Sequence, residues 1–155
     1  MAERAPFGTG GFTVTRVFAA PRERVWREWT EPEAFADWFG GTECEIPLST
    51  VSMDVRPGGT WRATMFCAPG RREIRWAGEY LEVSAPERLV FSVSNHSAAG
   101  RPELVTVVLT DLGDGRTEMH FEQRGHQRPD EYERTKHGWG AFFARLDERL
   151  ASREQ

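Results

Sequence analysis

The sequence predicts an α+β fold in which a bent antiparallel sheet wraps around a long C-terminal helix. Three observations carry this expectation. Apolar residues between positions 51 and 121 recur with a period of two, which belongs to strands with one buried face. Turn-forming clusters at 56–59, 84–87 and 111–115 cut that stretch into hairpins. From position 129 the spacing reverts to that of an amphipathic helix, long enough to lie across such a sheet.

In chain order, residues 1–11 are polar and glycine-rich and are expected to be loose. Phe12 to Phe18 reads as a strand, with Phe12, Val14 and Phe18 in one phase and Arg16 interrupting it. Pro21 suits the first turn of a short helix carrying Val25, Trp26 and Trp29. Thr30, Pro32 and Glu33 predict a second helix start, with Thr30 as cap and Glu33 completing a capping box. Phe35, Trp38 and Phe39 form its inner face, and Gly40 and Gly41 end it. Strands are then expected over 51–55, 60–66, 74–83, 89–93, 104–110 and 117–121. Pro129 to Ala151 closes the chain as one helix, with Trp139, Phe142, Phe143, Leu146 and Leu150 as its apolar stripe. Residues 12–151 therefore read as one domain, and 152–155 as a tail. The charged residues from Arg145 to Arg149 are expected to face water.

Bulk properties exclude several classes of function. A chain of 155 residues with 39% hydrophobic and 28% charged residues can bury a core without staples. A net charge of −4 provides no basic footprint, so nucleic acid is not an expected partner. No apolar run has the ~18 residues of a membrane span. Cys44 and Cys67 are too few for a disulfide framework, and Cys67 is expected to act as a small buried hydrophobe. With no signal-peptide pattern at the start, a reducing cytoplasm is the expected location.

Catalytic and metal signatures are absent from the pattern. Arg56 to Gly59 joins two strands and lacks the Lys-Ser/Thr of a phosphate loop, so it reads as a turn. His96, His120, His126 and His137 lack metal-ligand spacing, and no nucleophile elbow occurs. His120 is out of phase with Met119 and Phe121 and is expected on the outer face, as are Arg16 and Glu82. The expectation is a protein without catalytic residues, metal or cofactor. Six Trp and ten Phe are the unusual feature. Trp38, Phe39, Trp61, Met65, Phe91, Met119, Trp139, Phe142 and Phe143 all point inward by phase. Such rings either fill a core or line a cavity. Gly138 and Gly140 flank Trp139, and glycine inside a helix asks for a reason such as close approach or bending.

An ordered set of segments resembles the START-like superfamily, in the branch containing the C-terminal domain of the activator of Hsp90 ATPase. The segments are Arg16 to Pro21 with Val25 and Trp26, Thr30 to Ala34 with Trp38 and Phe39, Asp54 to Gly59, Gly78 to Val83, Pro86 to Phe91, and Gly138 and Trp139 with Leu146. The resemblance covers about residues 12–150. It implies a helix-grip fold with space between the sheet and the last helix. That tips the aromatic set towards lining a cavity for a small hydrophobic, aromatic or lipid-like ligand, entered near Trp38 and Phe39. The same superfamily includes chaperone activators and polyketide cyclases, so a chaperone-interacting module and a cyclase- or hydrolase-like enzyme stand as alternatives. The eukaryotic chaperone activator has a further N-terminal domain for its partner, for which 155 residues leave no room, and this lowers the co-chaperone alternative.

Overall fold

A computed structural model describes residues 10–95 and 101–152 of the chain. The expectations for residues 1–9, for His96 and for residues 153–155 lie outside the described residues. The described residues begin with β1 (Gly10–Phe18), α1 (Arg22–Thr30) and α2 (Pro32–Trp38). Then come β2 (Cys44–Glu45), a short 3-10 turn (Leu48–Thr50) and β3 (Ser52–Met53). The long strands are β4 (Thr60–Cys67), β5 (Arg72–Ser84), β6 (Arg88–Asn95), β7 (Glu103–Gly113) and β8 (Arg116–Gly125). The last element is α3 (Pro129–Ser152).

All pairings are antiparallel, in the order β1-β8-β7-β6-β5-β4-β2, with β3 also on β4. The sheet is bent and grips α3, the α+β helix-grip arrangement that the periodicities predict. The turn at 84–87 closes through Glu87 N–H donating to Ser84 C=O at 2.8 Å. At 111–115 the Asp111 carboxylate accepts from Gly113 N–H at 2.9 Å. Alternation works as expected on β7 and β8: Val105, Val107, Leu109, Met119 and Phe121 are each at most 1% exposed. On α3, Phe143, Leu146 and Leu150 are fully buried, while Phe142 is half-buried.

Several expectations need correction. Thr30 does not cap α2. Only Glu31 separates the two helices, so Thr30 stays helical in α1, and its hydroxyl donates back to Trp26 C=O at 2.9 Å. Glu31 holds the cap position without a side-chain bond, and no capping box forms. The strand expected over 51–55 shrinks to Ser52–Met53, because Leu48–Thr50 forms a helical turn before it and Arg56 N–H turns back to Asp54 C=O after it.

Cys44 and Cys67 are bonded to each other, not free. They face one another in the β2–β4 register, which brings together residues 23 apart in sequence. Spacing alone does not reveal that pairing. A bond of this type persists in oxidising compartments, so the cysteines no longer support a reducing one.

Arg149 is not on a solvated face. It forks onto the Glu28 carboxylate at 2.8 and 3.0 Å and also pairs with Asp37, tying α3 to α1 and α2. The hydrogen bonds it donates to Glu28 raise its guanidinium pKa above the ordinary value. Arg145 also reaches Asp37, at 3.2 Å, and is 31% exposed, whereas Glu148 is in water. Glu82 meets Arg88 at 3.0 Å on the sheet surface, and Arg16 is half-buried in the phase of Phe18.

A polar floor beneath an open cleft

The inner faces of the sheet and α3 meet in a continuous aromatic core. Trp29 is its hub, with ring centroids 4.8 Å from Trp38, 6.0 Å from Trp139, 6.1 Å from Phe91 and 6.3 Å from Phe143. Of the residues expected to line a cavity, Trp38, Phe39, Trp61, Met65, Phe91, Met119 and Phe143 are at most 4% exposed within this one cluster. Trp139 is 6% exposed, and Phe142 packs at the cluster's edge. The space left beside Trp29, Trp61 and Phe91 is about 10 Å³, roughly the volume of a single water probe.

Indole N–H groups fix the orientation of two of these rings. Trp38 donates to Glu28 C=O at 2.9 Å and Trp61 to Ser92 C=O at 3.0 Å. The Trp61 indole passes so close to β5 that a Cβ at Gly78 would lie 2.5 Å from its nitrogen and 1.7 Å from Ser92 O. Glycine is the only residue that fits there.

Space opens at the edge of the core, beside Trp139. A cleft of about 750 Å³ lies between the first turns of α3 and the sheet. Trp76, Val93 and Trp139 supply its apolar walls, and Glu103 and Gln123 its buried polar groups. Among the nine expected residues, Trp139 is the one that lines this cleft; Phe39, expected at the mouth, does not line it but has its ring 5.7 Å from Trp139 and 6.3 Å from Trp76.

The floor is a directed hydrogen-bond network. Trp139 Nε1 donates to Gln123 Oε1 at 2.9 Å, and Gln123 Nε2 donates to Glu103 Oε1 at 3.0 Å. Tyr132 Oη donates to the same oxygen at 2.8 Å, and His126 N–H donates to Glu103 Oε2 at 3.1 Å. An indole can only donate and a carboxylate can only accept, so the Gln123 amide has a single workable orientation. Tyr132 Oη also accepts from Gln127 N–H at 3.3 Å. Burial holds its pKa above the ordinary phenol value, and Glu103 adds to the effect. A Cβ at Gly125 would fall 1.9 Å from the Glu103 carboxylate, so glycine there leaves room for it.

Sequence reasoning missed Glu103, although a signal was present. Extending the inward phase of Val105, Val107 and Leu109 back two residues lands on Glu103. Extending Met119 and Phe121 forward lands on Gln123, then Gly125. Both polar residues are buried, at 6% and 3% exposure. Two inward polar residues on neighbouring strands mark where the core stops being apolar. Gly138 and Gly140 are not explained by close approach, since a Cβ at either meets nothing within 4 Å. His120 bonds Thr15 on the outer face, as its phase predicts. Among the described residues no group of three or more His, Cys, Asp and Glu is placed to hold a metal ion, and no helix is long and apolar enough to cross a membrane.

Known proteins agree with this architecture. The family model described as Activator of Hsp90 ATPase homolog 1-like protein matches residues 19–151, and the chain belongs to that family. Protein NE0264 from Nitrosomonas europaea is 28% identical, with 93% of this chain and 96% of that one aligned at a TM-score of 0.78. The SPO3351 protein of Silicibacter pomeroyi, of the same family by name, is 18% identical over 92% and 98% of the two chains, with a TM-score of 0.82. DynU16, from the dynemicin biosynthetic locus, is 27% identical over 91% of this chain and 47% of its own, with a TM-score of 0.72. No curated protein sequence matches.

Proposed function

We propose that this family member binds a small apolar or aromatic molecule, without catalysing its conversion, in the cleft between the sheet and the start of α3. The observation that carries the reading is the 750 Å³ space walled by Trp76, Val93 and Trp139 above buried Glu103 and Gln123. Ligand sites combine such apolar walls with a few fixed polar groups, and the Trp139–Gln123–Glu103 relay fixes these before any ligand arrives. The structural likeness to DynU16 supports a small-molecule role. Residues 12–151 act as one binding domain in this reading. Trp38, Phe39, Trp61, Met65, Phe91, Met119, Phe142 and Phe143 then form the core that holds Trp139 in place, and they would touch a ligand only if the core opened.

The test is a titration with a panel of naphthalene- and indole-sized molecules, followed by Trp indole N–H chemical shifts. Binding should move the Trp139 and Trp76 signals and raise Tm with occupancy. Shifts confined to the outer sheet face on adding purified Hsp90, with none from the panel, would favour the chaperone-interacting alternative that the family name suggests. A cytoplasmic location belongs to this proposal, and the redox state of Cys44 and Cys67 in cells bears on it.

A further inference from the structure

We infer that the ligand carries a positively charged amine next to its aromatic part, with the Glu103 carboxylate as the counter-charge. This rests on the cleft being the binding site. Glu103 is 94% buried by its 6% exposure, and among the described residues it has no Lys, Arg or His side chain as an ion-pair partner. A buried carboxylate without a cation is costly to keep. The other buried acid, Glu28, has Arg149 forked onto it.

The charges at the rim do not fill that role. Arg134 is matched by Asp130 at 3.7 Å, and Glu131 by Arg128 at 3.6 Å. Arg101 lies 3.0 Å from His126 Nδ1. Arg101 is a cation of the rim, but among the described residues neither it nor any other cationic side chain lies within ion-pair distance of the Glu103 carboxylate on the floor.

Counting acceptors gives the same answer. An ionised carboxylate has about four acceptor positions. Glu103 Oε1 uses two, for Tyr132 and Gln123, and Oε2 uses one, for His126 N–H. One position on Oε2 remains for a donor from the cleft. Trp76 and Trp139 line the same space, and indole faces attract cations. A carboxylate in a cleft that two indoles also line selects an ammonium over a neutral or anionic group of the same shape.

The experiment compares three probes of one shape on the wild-type protein at neutral pH by calorimetry: 1-naphthylmethylammonium, 1-naphthylmethanol and 1-naphthoate. The ammonium should bind about tenfold or more tightly than the alcohol, and the naphthoate most weakly. Glu103→Gln should remove about tenfold from ammonium affinity and leave the alcohol within about threefold of its wild-type value. Equal affinity for ammonium and alcohol, or tighter naphthoate binding, overturns the charge assignment while leaving the cleft as a site. The wild-type series decides this even if Glu103→Gln does not fold. If none of the three binds and no indole signal moves, the proposed function itself fails.

Discussion

Arg149→Met offers a quantitative test of how the helices are held on the sheet. Glu28 is 4% exposed and takes two bonds from Arg149, at 2.8 and 3.0 Å. Removing the guanidinium leaves this carboxylate buried without its cation. Breaking a buried pair from one side costs about 3–5 kcal/mol. The second partner, Asp37, has a side chain 47% exposed, so its share should be under about 1 kcal/mol. In a chain of this size the sum lowers Tm by about 6–24 °C. Urea unfolding followed by Trp fluorescence measures the loss directly. The double substitution Glu28→Met with Arg149→Met removes both charges and should recover most of the stability, because an apolar pair needs no desolvated partner. The coupling free energy from the full cycle isolates the pair. A loss below about 1 kcal/mol for Arg149→Met, or a double variant worse than the sum of the singles, would refute the buried-pair reasoning.

Trp139→Ala should cost about 3–5 kcal/mol by calorimetry, because the ring contacts Trp29, Phe121 and Phe143 and its N–H satisfies Gln123; a loss under about 1 kcal/mol would mean the ring is not packed as described. Gly125→Ala should displace the Glu103 carboxylate and weaken binding of the naphthylmethylammonium probe measured by titration, whereas a variant that binds it normally would show that the carboxylate can move aside and still serve. Reduction of Cys44–Cys67, 23 residues apart, should lower unfolding free energy by about 3 kcal/mol in the loop-entropy model, read from urea curves with and without reductant. Burial, with Asp54 second, pushes the Tyr80 phenol well above its ordinary pKa of 10.0. The unfolded chain therefore loses that proton first. The Tyr80 contribution is complete below about pH 10 and is lost as pH rises towards the folded value. Urea midpoints across this range should fall for the wild type and fall less steeply for Tyr80→Phe.

The sequence by itself determined the element order, the faces of the long strands and the stripe of α3. Period-two runs such as Val105, Val107 and Leu109 report which side of a strand is buried, and helical spacing from Trp139 to Leu150 does the same for a helix. Both are properties of one segment, legible without its neighbours. It also picked out Trp139, the residue that joins the core to the cleft. What it could not decide was whether large inward rings fill their space or leave it open, since that depends on how Trp29, Phe39 and Phe121 interlock around them. Nor could spacing pair Arg149 with Glu28, 121 positions away, or Cys44 with Cys67. A charged run on a helix looks solvated until another element arrives to cover it. Tertiary structure alone set those partners, because a hydrogen bond or a disulfide needs atoms within a few ångströms in space, and periodicity records only direction along one element.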